Sequence, residues 1–108
     1  MTHLELTSIV EAIDADCFRV TDHADEEADA DALSLAEIIQ SVRSGEILRA
    51  YAHDRPFPSC LVLGWTHDRE PVHSVWAYDE EGRRAVLITV YRPDPALWIN
   101  WREKRRQQ

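Results

Sequence analysis

Histidine, arginine and tyrosine side chains that could move protons and bind phosphate lie scattered along the sequence. Cleavage of an RNA backbone without a metal ion needs a base for the 2′-hydroxyl, an acid for the leaving oxygen and cations for the phosphorane. Histidines titrate near neutral pH, arginines bind phosphate through paired hydrogen bonds, and tyrosines stack on bases or donate protons. The candidates for these roles are His23, His73, Arg49, Arg55, Arg92, Tyr51 and Tyr91. None of them stands in a motif with diagnostic spacing.

Each candidate also has a purely structural interpretation. His73 falls on an aliphatic strand face, which favours a core histidine with one satisfied ring nitrogen over a catalyst. His23 follows Asp22 at the start of a helix, a position typical of a cap that bonds to the backbone. Arg55 stands in a loop where a salt bridge is plausible, and Tyr91 could simply pack at the end of its strand.

Neither cysteine has the sequence surroundings of a nucleophile or of a metal ligand. Ser59 and Cys60 lack the Gly-x-Ser-x-Gly elbow of a nucleophilic serine, and Cys60 is interpreted as a small buried hydrophobe. The cysteines and histidines considered as zinc ligands contain no close pair: Cys17, His23, His53, Cys60, His67 and His73. We therefore predict no metal site and no cofactor.

Several features predict a cytoplasmic protein with no membrane partner. Cys17 and Cys60 lie far apart and form no CxxC pair, which is typical of a reducing compartment. No apolar run approaches the roughly 18–20 residues of a membrane span. The first five residues, Met1-Thr2-His3-Leu4-Glu5, lack the basic and apolar regions of a secretory signal.

Charge is distributed unevenly along this chain of 108 residues, whose net charge is −8. Residues 1–46 carry 12 acidic and two basic side chains, whereas residues 47–108 carry 8 acidic and 10 basic ones. A net acidic chain is repelled by nucleic acid at long range. The acidic half could recruit a basic partner or mimic a nucleic-acid backbone, and a solvated helix face is the simplest interpretation.

The elements that must position these residues begin with three helices and a short strand. Apolar residues at helical spacing predict a first helix capped by Thr2 or Thr7, with inward positions Leu6, Ile9, Val10 and Ile13. A strand at 17–21 precedes an acidic helix at 24–30 that Asp22 caps. Ser34 and Glu37 form a capping box before a third helix, 34–44, with inward positions Leu35, Ile38, Ile39 and Val42.

Four further strands are predicted at 46–52, 59–65, 72–78 and 84–91. Their short, turn-rich connections imply antiparallel neighbours in sequential order. Leu97, Trp98 and Trp101 predict a C-terminal helix before a basic tail. The predicted fold class is α+β: a strand, two helices, a four-stranded antiparallel β-meander and a C-terminal helix. We divide the chain into an N-terminal helix (1–16), one α+β domain (17–98) and a helix end with basic tail (99–108).

Closing each turn symmetrically predicts that Tyr51 faces Cys60, Leu63 faces His73 and Val75 faces Val86. Alternation then sorts the strands into two faces. The aliphatic face, expected beneath the helices, holds Leu48, Ala50, Leu61, Leu63, Trp65, His73, Val75, Ala77, Val86, Ile88 and Val90. The mixed face holds Ile47, Arg49, Tyr51, Cys60, Val62, Ser74, Trp76, Leu87, Thr89 and Tyr91.

The mixed face has three interpretations: a substrate-binding surface with Arg49, Tyr51 and Trp76, a solvent-exposed face, or a dimer face. The chain has four tryptophans, and its mixed face includes the apolar positions Val62, Trp76 and Leu87. This amount of apolar surface would favour a partner that covers it. On that basis we predict a homodimer.

Several segments together resemble a known bacterial family. They are Asp22-His23-Ala24 at a helix start, Ser44-Gly45-Glu46-Ile47 at a helix end, the run from Asp54 to Gly64, Pro71-Val72-His73, and the run from Ile88 to Asp94. Over about residues 17–98 the sequence resembles the family called "domain of unknown function 4258", most specifically around Pro58-Ser59-Cys60 and Thr89-Val90-Tyr91.

That resemblance implies a fold and a function. The family is similar in topology to the RelE-like toxins of the barnase–EndoU–colicin nuclease superfamily, which implies a toxin-like endoribonuclease that acts on RNA and pairs with an antitoxin. The family usually carries an arginine four residues after the helix-opening histidine, whereas this chain has Glu27 there. The lost cation argues against phosphate binding. The alternative is a non-catalytic, acidic protein-interaction module derived from the same scaffold.

Overall fold

The helices of this computed structural model, which describes residues 4–106, all lie in the first half of the chain. The helices are α1 (Leu6–Asp14), α2 (Asp22–Ala30) and α3 (Leu35–Arg43). The strands are β1 (Phe18–Val20), β2 (Glu46–Tyr51), β3 (Ser59–Trp65), β4 (Pro71–Asp79), β5 (Arg84–Tyr91), β6 (Trp98–Ile99) and β7 (Glu103–Lys104). The predicted α+β class is confirmed. Among the described helices, none has the length and apolar character needed to cross a lipid bilayer.

The main sheet has five strands in the order β1-β5-β4-β3-β2, so the predicted four-stranded antiparallel meander is wrong as a description of it. Strands β2 to β5 are antiparallel neighbours in sequential order, as expected. β1 adds a fifth strand that runs parallel to β5, with Phe18 opposite Ala85 and Val20 opposite Leu87. A strand of three residues has too little alternation to reveal its partner, and a parallel partner must be distant in sequence.

Side chains cap two of the three helices. Ser34 and Glu37 form the predicted capping box at the start of α3, with Ser34 N donating to Glu37 Oε1 over 3.0 Å and Glu37 N to Ser34 Oγ over 3.1 Å. The cap of α2 is Thr21, whose hydroxyl accepts from Ala24 N, and not Asp22. Glu5 precedes α1 without a side-chain cap. Of the two predicted caps of α1, Thr7 lies inside the helix, and Thr2 lies outside the described residues.

The helices cover the opposite face of the sheet from the one predicted. The core beneath them contains Cys60, Val62, Val72, Trp76, Ala85, Leu87 and Val90, together with Ile9, Ile38 and Val42 of the helices. Six residues were expected beneath α3: Leu61, Leu63, Val75, Val86, Ile88 and Val90. Of these, Val90 alone belongs to that core. Leu35, predicted inward on α3, is 45% exposed.

Alternation could not reveal which face the helices cover, because both faces of the sheet are apolar and both are buried in part. Leu61 and Leu63, on the face away from the helices, are as buried as Cys60 and Val62. The choice is fixed by close contact at Gly64, where an added Cβ would lie 1.6 Å from the backbone oxygen of Ser41 in α3. α3 therefore packs directly onto the backbone of β3.

Two irregularities in strand pairing change which residues share a face. Leu63 faces His73 as predicted, but Tyr51 faces Ser59 and Val75 faces Thr89. The register shifts between Ile47 and Arg49 in β2, and at Val75/Trp76 against β5. A bulge inserts one residue and reverses the faces beyond it. The predicted mixed face is therefore split between the two sides of the sheet.

Residues 94–106 form a small hairpin on the face away from the helices, in place of the predicted C-terminal helix. β6 and β7 are antiparallel, and the chain turns between them through Asn100 and Trp101, whose φ angles are 51° and 65°. Left-handed φ angles at two consecutive residues are incompatible with a right-handed helix. Trp98 is buried against the sheet, so its spacing to Leu97 and Trp101 reflects a turn and not a helix face.

Candidate functional site

The face of the sheet away from the helices collects most of the predicted site residues. Arg49 pairs with Leu61, Tyr51 with Ser59, and Tyr91 with His73, so their side chains share one face. The C-terminal hairpin covers one end of this face. The other end is an open groove lined by Tyr51, His53, Asp54, Ser59, Val75 and Ile88. We call the uncovered part, with Arg49, Tyr51, Thr89 and Tyr91, the open face.

His73 links the open face to the C-terminal hairpin. Its Nε2 lies 2.7 Å from the carbonyl oxygen of Trp101, and its Nδ1 lies 3.1 Å from the Tyr91 hydroxyl. A carbonyl oxygen only accepts, so Nε2 carries the proton, and Nδ1 accepts from the Tyr91 hydroxyl. The imidazole also packs edge-on against Trp98, with ring centroids 4.4 Å apart. Both ring nitrogens therefore have partners, where the sequence-based interpretation of a core histidine expected one.

Burial controls how the pair titrates. Desolvation lowers the pKa of His73, opposed by its hydrogen bond to the Trp101 carbonyl. Desolvation raises the pKa of Tyr91, and the Tyr51 phenol and the Glu27 carboxylate raise it further. At neutral pH the site therefore holds a neutral imidazole and a neutral phenol. The half-buried phenol is the member of the pair that solvent can reach.

Side chains of α2 and of its two flanking residues, Thr21 and Asp31, bind the edge of β5 beyond the end of β1. The Thr21 hydroxyl lies 3.2 Å from the carbonyl of Ile88, and Arg92 N donates to Asp31 Oδ2 over 2.7 Å. Between them, Glu27 Oε1 accepts from the Thr89 hydroxyl and from Val90 N. These contacts satisfy a strand edge that would otherwise expose its backbone groups.

Glu27 also contacts a histidine of its own helix. Its Oε1 also lies 3.1 Å from His23 Nε2, four residues earlier on the same helix. Within residues 4–106, its contacts with His23, Thr89 and Val90 all involve this same oxygen. Its carboxylate is near enough to Tyr91 to shift the pKa of that phenol. The predicted catalytic His23 is thus an exposed side chain paired with an acid.

All three nitrogens of the Arg92 guanidinium donate hydrogen bonds to other residues of the chain. Its Nε donates to the carbonyl of Asp31 over 2.8 Å, Nη1 to Glu70 Oε2 over 2.5 Å and Nη2 to the carbonyl of Ala32 over 3.3 Å. These bonds join the end of β5 to the α2–α3 loop and to the β3–β4 turn. A phosphate would have to compete with all of them.

Comparison with known proteins identifies the family. Residues 20–92 match the family described as a domain of unknown function (DUF4258). The chain belongs to this family. Neither the curated proteins nor the solved structures contained a match. The DUF4258 region contains α2, α3 and β2 to β5, and so includes the whole open face.

The remaining predicted residues lie apart from the His73–Tyr91 pair. Trp76 is fully buried beneath the helices and donates its indole N–H to Ser74, so no ligand can reach it in this conformation. Arg55 is exposed in the β2–β3 loop, where its backbone N–H bonds to the Asp54 carboxylate. Burial raises the pKa of the Cys60 thiol to about 12, which keeps it protonated. Across residues 4–106, no three His, Cys, Asp or Glu side chains are placed to hold a metal ion.

Sequence reasoning missed the structural roles of three residues. Glu27 and Asp31 follow His23 at intervals of four, a helical stripe that could have indicated contact with a strand edge. Trp101 contributes only its backbone carbonyl to His73, for which a sequence carries no signal.

Proposed function

We propose that this DUF4258 chain is a non-catalytic protein-interaction module that binds a basic protein partner. The observation that carries the proposal is the position of Glu27. Where the family resemblance implies a cation, this chain holds a carboxylate at the edge of β5, bonded to Thr89 and Val90 and close to Tyr91. An anion beside the open face repels the phosphate that a ribonuclease must bind.

The engagement of two nearby arginines, Arg92 and Arg102, supports the same proposal. The Arg92 guanidinium is bonded to Glu70 and to two backbone carbonyls. Arg102, in the C-terminal hairpin, donates to Glu46. Electrostatic stabilisation of a phosphorane depends on donors that are free and aimed at the developing charge. These two guanidinium groups are bonded within the protein and are not free to bind a phosphate.

The surface charge indicates the chemistry of the partner. Four carboxylates on α2 are exposed: Asp22, Asp25, Glu26 and Asp29. Together with the net charge of −8, they give the chain a long-range field that attracts positively charged proteins and repels RNA. Such binding weakens as salt rises, because exposed charges are screened.

The second candidate is the toxin-like endoribonuclease that resemblance to the RelE-like nucleases implies, acting in the cytoplasm and controlled by an antitoxin. One observation favours it. The Tyr91 phenol is held by the His73 imidazole on a face that also carries Arg49 and Tyr51. The neutral phenol could give its proton to a leaving oxygen if its hydroxyl turned away from His73 Nδ1, which accepts that proton in this structure.

An RNA-cleavage assay with purified protein separates the two candidates. The module proposal expects no cleavage of mixed RNA and no growth arrest when the chain is expressed in bacteria. A ribonuclease would cleave, and Arg49→Ala or Tyr91→Phe would slow it by about a hundredfold, the loss typical of one transition-state contact. Arg84→Ala, at the far end of β5, is the matched control for Arg49→Ala. Cleavage by the wild type that Tyr91→Phe abolishes would overturn the module proposal.

A further inference from the structure

A groove of about 660 Å³ opens at the end of the molecule formed by the start of α1, the β2–β3 loop and the β4–β5 turn. Its apolar lining residues are half-buried: Leu4, Phe57, Pro58 and Tyr78. Its most exposed lining residues are charged: Glu11, Glu80, Glu81 and Arg83. The groove therefore has an apolar floor and a charged rim. We call it the acidic groove.

The walls of the acidic groove are fixed by the fold. Leu4 and Tyr78 pack against the core beneath the helices. Tyr78 N donates to the carbonyl of Pro58 over 3.0 Å, which holds the β2–β3 loop against β4. Asp79 Oδ1 accepts from Gly82 N over 3.1 Å and closes the β4–β5 turn. A preformed groove loses little conformational entropy when it is filled.

The chemistry of the lining defines what fits. Four acidic residues line the groove, Glu11, Asp79, Glu80 and Glu81, against one basic residue, Arg83. That excess of negative charge repels nucleic acid and anionic lipid. An apolar floor with an acidic rim suits a peptide segment that inserts a large apolar side chain and places lysines or arginines around it.

We propose that the acidic groove is the docking site for a basic segment of a partner protein, with one large apolar side chain seated between Leu4, Phe57 and Tyr78. The inference rests on the proposed function and adds to it the location of the interface and the composition of the bound segment. The open face, with its His73–Tyr91 pair, lies outside this interface.

A synthetic peptide with a Leu-Trp pair flanked by lysines is the probe. Binding is measured by titration calorimetry, and its location by amide chemical-shift changes in the ¹⁵N-labelled full chain. We expect the shifts to concentrate at Phe57, Tyr78 and residues 80–83. A peptide with glutamates in place of the lysines, and one with serines in place of the Leu-Trp pair, should each bind at least about tenfold more weakly.

Matched variants test the groove against net charge alone. Glu80→Lys with Glu81→Lys should weaken binding of the lysine peptide by about tenfold, since each exposed ion pair is worth up to about 1 kcal/mol. Glu26→Lys with Asp29→Lys changes the net charge of the chain by the same amount on α2, away from the groove, and should change the affinity less than about twofold. Phe57→Ser should weaken binding by about tenfold while leaving the charge intact.

The inference is overturned if the α2 double variant weakens binding as much as the turn double variant, or if the shifts map to α2 or to the open face. Self-association of the chain that Glu80→Lys with Glu81→Lys abolishes would also overturn it, because the occupant would then be a second copy. If the acidic groove is not the docking site but a basic partner binds elsewhere on the chain, the proposed function still holds. RNA cleavage by the wild type removes the proposed function whatever the peptide does.

Discussion

His73 is a single side chain that ties β4, β5 and the C-terminal hairpin together. It donates to the Trp101 carbonyl, accepts from the Tyr91 hydroxyl and packs against Trp98. A second proton on the ring would occupy Nδ1 and remove the acceptor that the Tyr91 hydroxyl uses. The neutral form is therefore the one that the folded chain requires.

This requirement predicts how stability depends on pH. Burial lowers the pKa of His73 in the folded chain, whereas the unfolded chain has a value of about 6.5. Below that value the unfolded state takes up the proton first, so stability is complete above pH ~6.5 and is lost as the pH falls towards the folded pKa. Urea unfolding of the wild type should show a steeper loss between pH ~7 and ~5.5 than His73→Gln.

The exposed His67 provides the control for this measurement. His67→Gln should retain the pH dependence of the wild type. Equal slopes for the wild type and His73→Gln would contradict the buried neutral histidine.

Arg92 should matter for stability whether or not it matters for function. Arg92→Met removes the hydrogen bonds to Asp31, Ala32 and Glu70 and leaves two backbone carbonyls without their donor. We expect a loss of about 2 kcal/mol in the free energy of unfolding. Arg84→Met, on an exposed position of the same strand, should cost less than about 0.5 kcal/mol. Similar losses in the two variants would show that the Arg92 bonds contribute nothing.

At the scale of elements, the packing of α3 on β3 depends on the absence of a side chain at Gly64. An added Cβ would lie 1.6 Å from the Ser41 carbonyl oxygen, a contact that only movement of the helix can relieve. Gly64→Ala should cost about 3 kcal/mol or more in thermal or urea unfolding. Gly82→Ala is the matched control, since its Cβ meets only the carboxylate end of the Asp79 side chain, which can shift without moving the backbone, and it should cost less than about 1 kcal/mol. An unaffected Gly64→Ala variant would refute this packing.

Local sequence signals predicted most helices and strands, whereas the sheet faces and the strand partners depend on tertiary contacts. The capping box of Ser34 and Glu37 correctly predicted the start of α3. The strands β3 and β5 begin and end at the predicted residues. The two bulges, at Leu48 and Ile88, are not encoded by any glycine or proline, so the faces of β2 and β5 were sorted wrongly beyond them. That error placed His73 and Tyr91 on opposite faces, although the structure brings them into contact.

The partner of β1 and the fold of the C-terminal residues were also predicted wrongly, because local sequence does not specify them. Nothing near Phe18–Val20 specifies a parallel partner at 85–87, and the apolar spacing of residues 97–101 fits a helix as well as a turn. Patterning reports which residues are apolar, but not what covers them. The chain covers both sides of one sheet, with helices on one side and the C-terminal hairpin on part of the other.

At the scale of the whole molecule, the basis for the predicted homodimer has changed. The apolar surface proposed as a dimer face, with Val62, Trp76 and Leu87, is fully buried beneath the chain's own helices. Within residues 4–106 the large apolar residues that remain exposed are few: Leu35 on α3, Tyr51 on β2, and Leu97 and Ile99 together in the C-terminal hairpin. Stable homodimers bury larger continuous apolar patches.

We therefore expect a monomer at micromolar concentration. Light scattering or sedimentation of the purified chain checks this directly, in low and in physiological salt. Net charge of −8 adds mutual repulsion, which should be strongest at low ionic strength. A dimeric mass that persists after salt is raised would require an apolar interface that the described residues do not show.

The parallel pairing of β1 with β5 also constrains when this chain can fold. Phe18 and Ala85 are neighbours in the sheet, but 66 residues of chain lie between them. During synthesis the chain emerges from its N-terminus, so β1 and the acidic edge contacts of α2 have no partner until β5 has left the ribosome. Pairings of such long sequence separation also slow folding in solution, because the chain must lose the entropy of closing a long loop before the stabilising contacts form. Until β5 is available, the N-terminal third of the chain therefore lacks its partner strand and stays accessible to chaperones and proteases.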